Sequence, residues 1–105
     1  MKLDYDLNSY LEKIKKSNLI STLLLIMSLA AGILVLQPGE KDTQEPHDSD
    51  EVYYVISGDG FLKINGTDYT ISKDKLFFVA KDVKHFFHGN TREIKVLYFF
   101  GGPDS

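Results

Sequence analysis

Residues 39–58 have the sequence GEKDTQEPHDSDEVYYVISG, and this stretch decides how the rest of the chain is interpreted. It opens with a glycine turn, passes through an acidic segment, and becomes an alternating apolar strand over residues 52–56 before a second glycine. Glu45, His47 and Glu51 follow one another at short spacing within it. In an extended segment Glu45 and His47 point to the same side, because side chains alternate with a period of two. The stretch therefore predicts a loop and a strand that carry carboxylates beside an imidazole.

Short strands separated by turns are predicted on both sides of this stretch. Apolar runs end at glycine, proline, asparagine or aspartate, and Asn65-Gly66 is the strongest hairpin signal among them. The predicted strands cover residues 22–27, 32–36, 52–56, 61–64, 68–71, 76–80, 84–88 and 93–100. Short strands at such regular spacing predict an antiparallel sandwich or barrel, so the fold class is all-β.

The first segment of the chain, residues 1–18, differs from the rest and predicts one N-terminal α-helix. Ser9 and Glu12 have the spacing of a capping box. Leucine and isoleucine recur at intervals of four and three residues, which gives one apolar stripe. We therefore divide the chain into an N-terminal helix, residues 1–18, and a β-barrel domain, residues 19–105.

Length and composition exclude several classes of protein. The chain has 105 residues, a size typical of one domain. Its formal net charge of -3 provides no basic surface for nucleic acid. It has no cysteine, so a metal site would need histidine and carboxylate ligands. Those ligands suit iron, manganese, zinc, nickel or copper.

An uncharged apolar run over residues 19–36 raises the question of a membrane span. Its length is near the lower limit for a spanning helix. The sequence before it carries Asp4, Asp6 and Glu12, however, which is not typical of a signal peptide. Two buried strands around a turn of small residues explain the run better. We predict a cytoplasmic protein without a membrane segment.

A further candidate ligand is His85, in a later predicted strand. His85, Phe87 and Gly89 share one face of that strand, and Phe86 and His88 share the other. At most one of the two histidines therefore faces the barrel interior. We favour His85, because the side chains that share its face further along the strand are smaller.

Glu51 starts a strand face that continues with Tyr53, so that a carboxylate would lie inside the barrel beside an aromatic ring. A buried carboxylate is costly unless it is paired or binds a cation. Taken singly, Glu45 is typical of a solvated loop acid, His47 of a surface histidine beside a proline, and His85 of a hydrogen-bonded strand histidine. Two carboxylates and two imidazoles around a divalent ion would form a nearly neutral site, and the joint spacing of the four residues matches a known pattern.

That joint spacing resembles the first motif of the cupin family, which runs glycine, five residues, His-x-His, three or four residues, glutamate, six residues, glycine. The matching positions are Gly39, His47, Glu51 and Gly58. Glu45 stands where the family has its first histidine. In the second cupin motif only the histidine matches, at His85. The glycine, proline, glycine and asparagine of that motif are replaced by Asp74, Ala80, Asp82 and Gly89.

The resemblance covers residues 20–102 and implies a double-stranded β-helix, the jelly-roll cupin barrel. The metal ligands that it implies are Glu45, His47, Glu51 and His85. Glu45 would either bind the metal or act as a general base. In the second case two histidines and one carboxylate remain, the arrangement typical of non-haem iron oxygenases. The candidate pocket-lining residues are Tyr53, Phe87 and Tyr98.

The resemblance implies a single-domain cupin that binds a divalent metal and acts on a small molecule, as a dioxygenase-like or other metal-dependent enzyme. The alternative is a non-catalytic small-molecule-binding or sensing cupin, since one fold hosts many functions. We also expect a homodimer. Small cupins usually pair through a sheet, and the strand at residues 22–27 would otherwise present a long open edge.

Overall fold

The computed structural model describes residues 19–25, 29–43 and 48–101. These residues form eight β-strands joined by turns and loops. The helix predicted over residues 1–18 lies outside the described residues. The division of the chain into a helix and a barrel domain therefore stays a prediction.

The strands are short and all their pairings are antiparallel. They are β1 (Leu19–Leu25), β2 (Leu29–Leu36), β3 (Glu51–Ser57), β4 (Phe61–Ile64), β5 (Thr67–Thr70), β6 (Leu76–Val79), β7 (His85–His88) and β8 (Ile94–Gly101). From β3 onward their ends agree with the predicted ends to within one residue. The first two strands each begin three residues earlier than predicted, because an unbroken apolar run has no alternation to fix its ends.

Two sheets pack face to face. The larger has the order β1-β2-β8-β3-β6 and the smaller the order β5-β4-β7. The last strand lies between the second and the third, which is a jelly roll and not a simple meander. The core between the sheets contains Leu34, Leu36, Tyr53, Val55, Leu62, Ile71, Phe77, Val79, Phe87, Ile94, Val96 and Tyr98. The predicted all-β jelly roll is confirmed.

Strand alternation determines which side chains enter this core. In β3, Glu51 and Tyr53 are buried while Val52 faces outward. In β7, His85 and Phe87 are buried. Successive side chains of a strand point to opposite faces. β3 and β7, one strand from each sheet, therefore direct Glu51 with Tyr53 and His85 with Phe87 into the same interior.

β2 does not alternate, since residues 30–36 are all buried. Such a strand is covered on both faces, and it accounts for much of the uncharged apolar run over residues 19–36. The described residues of that run belong to two neighbouring strands of one sheet. Within the described part of the chain there is no helix long and apolar enough to span a membrane.

Two turns depend on glycine. Asn65 and Gly66 have φ values of 49° and 84°, and this pair of positive values forms the tight hairpin between β4 and β5. Gly58, which directly follows β3, has a φ of 117°. A Cβ atom there would lie 2.7 Å from the Cα atom of Ile94. The glycine that closes the first motif thus lets the start of β8 pass close to the end of β3.

Candidate functional site

Two ionisable side chains meet inside the barrel, one from each sheet. Glu51 begins β3 and His85 begins β7, and Glu51 Oε1 lies 3.1 Å from His85 Nε2. Each of these side chains is 1% exposed. A charged group buried in this way needs an opposite charge beside it. At this distance the carboxylate of Glu51 and a protonated ring of His85 provide each other with the opposite charge.

Both ring nitrogens of His85 have neighbours. Nδ1 lies 2.8 Å from the carbonyl oxygen of Val83, which can only accept, so Nδ1 carries the hydrogen. Nε2 lies 3.0 Å from the hydroxyl group of Tyr53, in addition to its contact with Glu51. The ring is therefore fixed with Nε2 directed at the carboxylate. A contact to the other ring nitrogen orients metal-binding histidines in the same way.

The electrostatics of His85 follow from these contacts. Burial disfavours the charged ring and acts to lower the pKa of His85. The hydrogen bonds to Glu51 and to the Val83 carbonyl, with the negative charges of Glu51 and Asp42, outweigh burial and raise the pKa above its usual value. The site thus favours a positive charge between ring and carboxylate. A proton on Nε2 supplies this charge. The pair also presents a carboxylate oxygen and an imidazole nitrogen, donor atoms that fit a divalent metal ion.

The other two predicted ligands, Glu45 and His47, lie outside the described residues. In the part of the chain that the structure describes, no three histidine, aspartate or glutamate side chains are grouped so as to hold a metal ion. That part contributes Glu51 and His85 to the predicted set. The four-ligand site stays a prediction.

The three aromatic residues predicted to line a pocket lie in the core, next to this pair. The rings of Tyr53 and Phe87 pack edge to face, with centroids 5.1 Å apart and an angle of 78°. Tyr98 is the cross-strand neighbour of Tyr53. All three are at most 4% exposed. They form a packed wall beside Glu51 and His85, and a ligand contact with that wall stays a prediction.

His88 lies on the opposite face of β7 and is directed away from the interior, as strand alternation requires. Its Nε2 atom is 2.8 Å from Asp68 Oδ1. The centroids of Phe61 and Phe86 lie 5.6 and 5.4 Å from its ring centroid. His88 therefore belongs to the outer surface of the smaller sheet and has no contact with the interior pair.

A surface depression of about 410 Å³ opens where β3 begins. It is lined by Asp48, Ser49, Asp50, Lys81 and Gly101. Asp50 joins its walls, because the backbone N–H of Lys81 donates to its carboxylate at 3.0 Å and that of Gly101 to its carbonyl oxygen at 3.4 Å. Since Asp50 directly precedes Glu51, a polar molecule in the depression would lie next to the start of the strand that carries Glu51.

Asp42 is a residue near the site that the sequence does not single out. It lies in the loop between β2 and β3, and its Oδ2 atom accepts a hydrogen bond of 2.9 Å from the backbone N–H of Phe87. It stands in an acidic segment where no spacing distinguishes it from its neighbours. Only the packing of the two sheets brings this loop to β7.

Comparison with known sequences identifies the family. The sequence profile described as "Cupin domain" matches residues 32–100. The chain belongs to the cupin family. This cupin is 31% identical over 78 residues to an uncharacterized protein of Streptomyces coelicolor, a match that covers 74% of each chain.

Solved structures share the fold of this cupin. The cupin domain of Cnp3 from Schizosaccharomyces pombe matches with a TM-score of 0.77 and 18% identity, over 95% of this chain and 74% of that one. An RmlC-like cupin from Methanocaldococcus jannaschii matches with a TM-score of 0.76 and 14% identity, over 97% and 91%. At these identities the likeness shows the double-stranded β-helix fold of this cupin.

Proposed function

We propose that this cupin binds a divalent metal ion and acts on a small molecule. The observation that carries the proposal is the buried contact of 3.1 Å between Glu51 Oε1 and His85 Nε2. A carboxylate oxygen and an imidazole nitrogen are ligands that iron, manganese, zinc, nickel and copper accept. Glu45 and His47, spaced as in the first cupin motif, would complete the set.

The residues of the chain supply charge and orientation at this proposed site. Glu51 balances positive charge, and the Val83 carbonyl keeps Nε2 of His85 directed inward. A bound divalent metal would supply Lewis-acid chemistry or a place for oxygen activation. Glu45 is either the fourth ligand or a base that takes a proton from the substrate.

Elemental analysis of the purified protein tests the proposal. We expect one divalent metal ion per chain in the parent protein and its loss when His47→Ala and His85→Ala are combined. His88→Ala is the matched control, because His88 faces outward and should not affect the metal. The proposal is wrong if the parent stays metal-free after metal supplementation, or if the double variant keeps the metal content of the parent.

Glu45→Gln separates the two roles proposed for Glu45. An amide is a much weaker metal ligand than a carboxylate, so loss of metal in this variant supports the ligand role. Full metal content together with lost turnover supports the base. Full metal content with unchanged turnover would make Glu45 an ordinary loop acid and would leave no role for it in the site.

A non-catalytic small-molecule-binding or sensing cupin is the second candidate. It is favoured by the burial of Tyr53, Phe87 and Tyr98, which are at most 4% exposed and offer a ligand little accessible surface. A ligand would then occupy the depression at the start of β3. Mass spectrometry of a small-molecule library incubated with the metal-loaded protein separates the candidates. A binding module returns its ligand unchanged, whereas an enzyme converts it.

A further inference from the structure

β7, which carries His85, is the terminal strand of the smaller sheet. Backbone N–H groups on the open side of a terminal strand need acceptors other than a neighbouring strand. At Phe87 the acceptor is Asp42 Oδ2, at 2.9 Å. The loop that carries Asp42 follows β2, which belongs to the larger sheet. Asp42 therefore ties the edge of one sheet to a loop of the other.

The position of Phe87 matters for His85. Phe87 lies on the same face of β7 and is 1% exposed. Its ring packs edge to face on Tyr53, and the Tyr53 hydroxyl lies 3.0 Å from His85 Nε2. A displacement of β7 at Phe87 would therefore disturb His85 directly and through Tyr53.

Asp42 also carries charge into this region. Its Oδ2 atom lies 2.9 Å from the backbone nitrogen of Phe87, which is two residues from His85 on β7. Asp42 is half-buried, so solvent and salt screen its charge less than that of an exposed carboxylate. The charge that attracts a cation to Nε2 is thus larger than that of Glu51 alone.

We infer that Asp42 is a positioning residue of the candidate metal site, which fixes the edge of β7 through Phe87 and adds a second carboxylate charge near His85. The inference rests on the proposed metal-binding function of Glu51 and His85. It assigns to Asp42 two separable roles, one as a hydrogen-bond acceptor and one as a charge.

Two substitutions separate these roles. Asp42→Asn removes the charge but keeps an oxygen that can accept from the Phe87 N–H, and Asp42→Ala removes both. Asp59→Asn is the matched control. Asp59 also accepts from backbone N–H groups, those of Thr91 and Arg92 at 2.8 and 3.0 Å, but follows the opposite end of β3 from Glu51. The probe is Zn²⁺ alone, titrated calorimetrically into the metal-free full chain, with hydrogen exchange of the Phe87 amide followed by NMR.

We expect Asp42→Asn to weaken Zn²⁺ binding by about tenfold, the usual effect of removing a group that supports a metal ligand. Its Phe87 amide should remain as protected as in the parent. Asp42→Ala should bind Zn²⁺ at least as weakly and should also exchange the Phe87 amide faster. Asp59→Asn should bind like the parent.

The same measurements can overturn the inference. Parent-like Zn²⁺ affinity in Asp42→Asn would show that the charge has no effect at the site. Unchanged exchange of the Phe87 amide in Asp42→Ala would show that Asp42 does not fix the strand edge. Either result overturns the inference but leaves the proposed metal site standing. A parent protein that binds no Zn²⁺ overturns the proposed metal site and the inference together.

Discussion

Glu51 and His85 belong to strands of different sheets, yet Glu51 Oε1 and His85 Nε2 lie 3.1 Å apart in the interior. The contact places a polar link between the sheets within a largely apolar core. Because both side chains are 1% exposed, removal of one partner leaves the other with less compensation for its burial. The pair therefore bears on stability as well as on the proposed chemistry.

Glu51→Ala should destabilise the metal-free protein by about 3 kcal/mol, because it breaks a buried pair and leaves His85 in the core. Glu51→Gln should cost less, since its amide oxygen can still contact the ring. Combining Glu51→Leu with His85→Leu should restore part of the loss, because neither ionisable partner is then left buried without the other. Urea unfolding in the presence of a chelator measures all three. A cost below about 0.5 kcal/mol for Glu51→Ala, the level of a surface substitution, would contradict the described burial.

Gly58→Ala should destabilise the protein by about 3 kcal/mol. It forces a side chain onto a residue with a φ of 117° and places a Cβ 2.7 Å from the Ile94 Cα. Gly66→Ala is the matched control, because Gly66 has a φ of 84° but nothing within 4 Å of the added Cβ. It should cost only the strain of the left-handed conformation, about 1 kcal/mol. Equal losses in the two variants, compared by urea unfolding, would show that the close approach of β8 does not matter.

Asp59 should make stability depend on pH in the acid range. The Thr91 hydroxyl and the backbone N–H groups of Arg92 and Thr91 donate to its carboxylate, and they lower its pKa despite partial desolvation. Because the folded-state pKa is below the unfolded one, the contribution is fully present above the unfolded value, about 4. It is lost as the pH falls through the folded value.

Melting temperatures of the parent and Asp59→Asn between about pH 2 and pH 7 measure this contribution. The parent should melt higher than the variant by a constant margin at the upper end of that range, and the margin should shrink below about pH 4. A margin that widens on acidification would contradict the sign of the shift.

We propose that the chain forms a homodimer through the edge of β1. Among the described residues β1 is a terminal strand of the five-stranded sheet, and its outer edge offers backbone groups for pairing with a second copy. Light scattering at micromolar concentration should therefore give twice the monomer mass. Phe78→Lys is the control, because Phe78 is 61% exposed on β6 at the other end of the sheet, and it should leave the mass unchanged. A monomeric parent would refute the dimer, and a dimer dissociated by Phe78→Lys would move the contact to β6.

Local sequence determined the elements of this protein. Alternation in β3 and β7 indicated which side chains face inward, because the period of a strand is a property of a few neighbouring residues. Asn65 and Gly66 fixed a hairpin, because that turn needs two residues with positive φ. The spacing from Gly39 to Gly58 indicated the cupin family, and Glu51 and His85 were recognisable as candidates because each starts an inward strand face.

Only the tertiary structure decided how these elements meet. The starts of β1 and β2 could not be predicted, since an uninterrupted apolar run carries no alternation. The contact between Glu51 and His85 depends on the packing of two sheets, and no local pattern encodes a distance across a core. Asp42 shows this most clearly, because its bond to Phe87 joins a loop to an edge strand far away along the chain. The sequence determines which groups are available, and the packing of the sheets determines which of them touch.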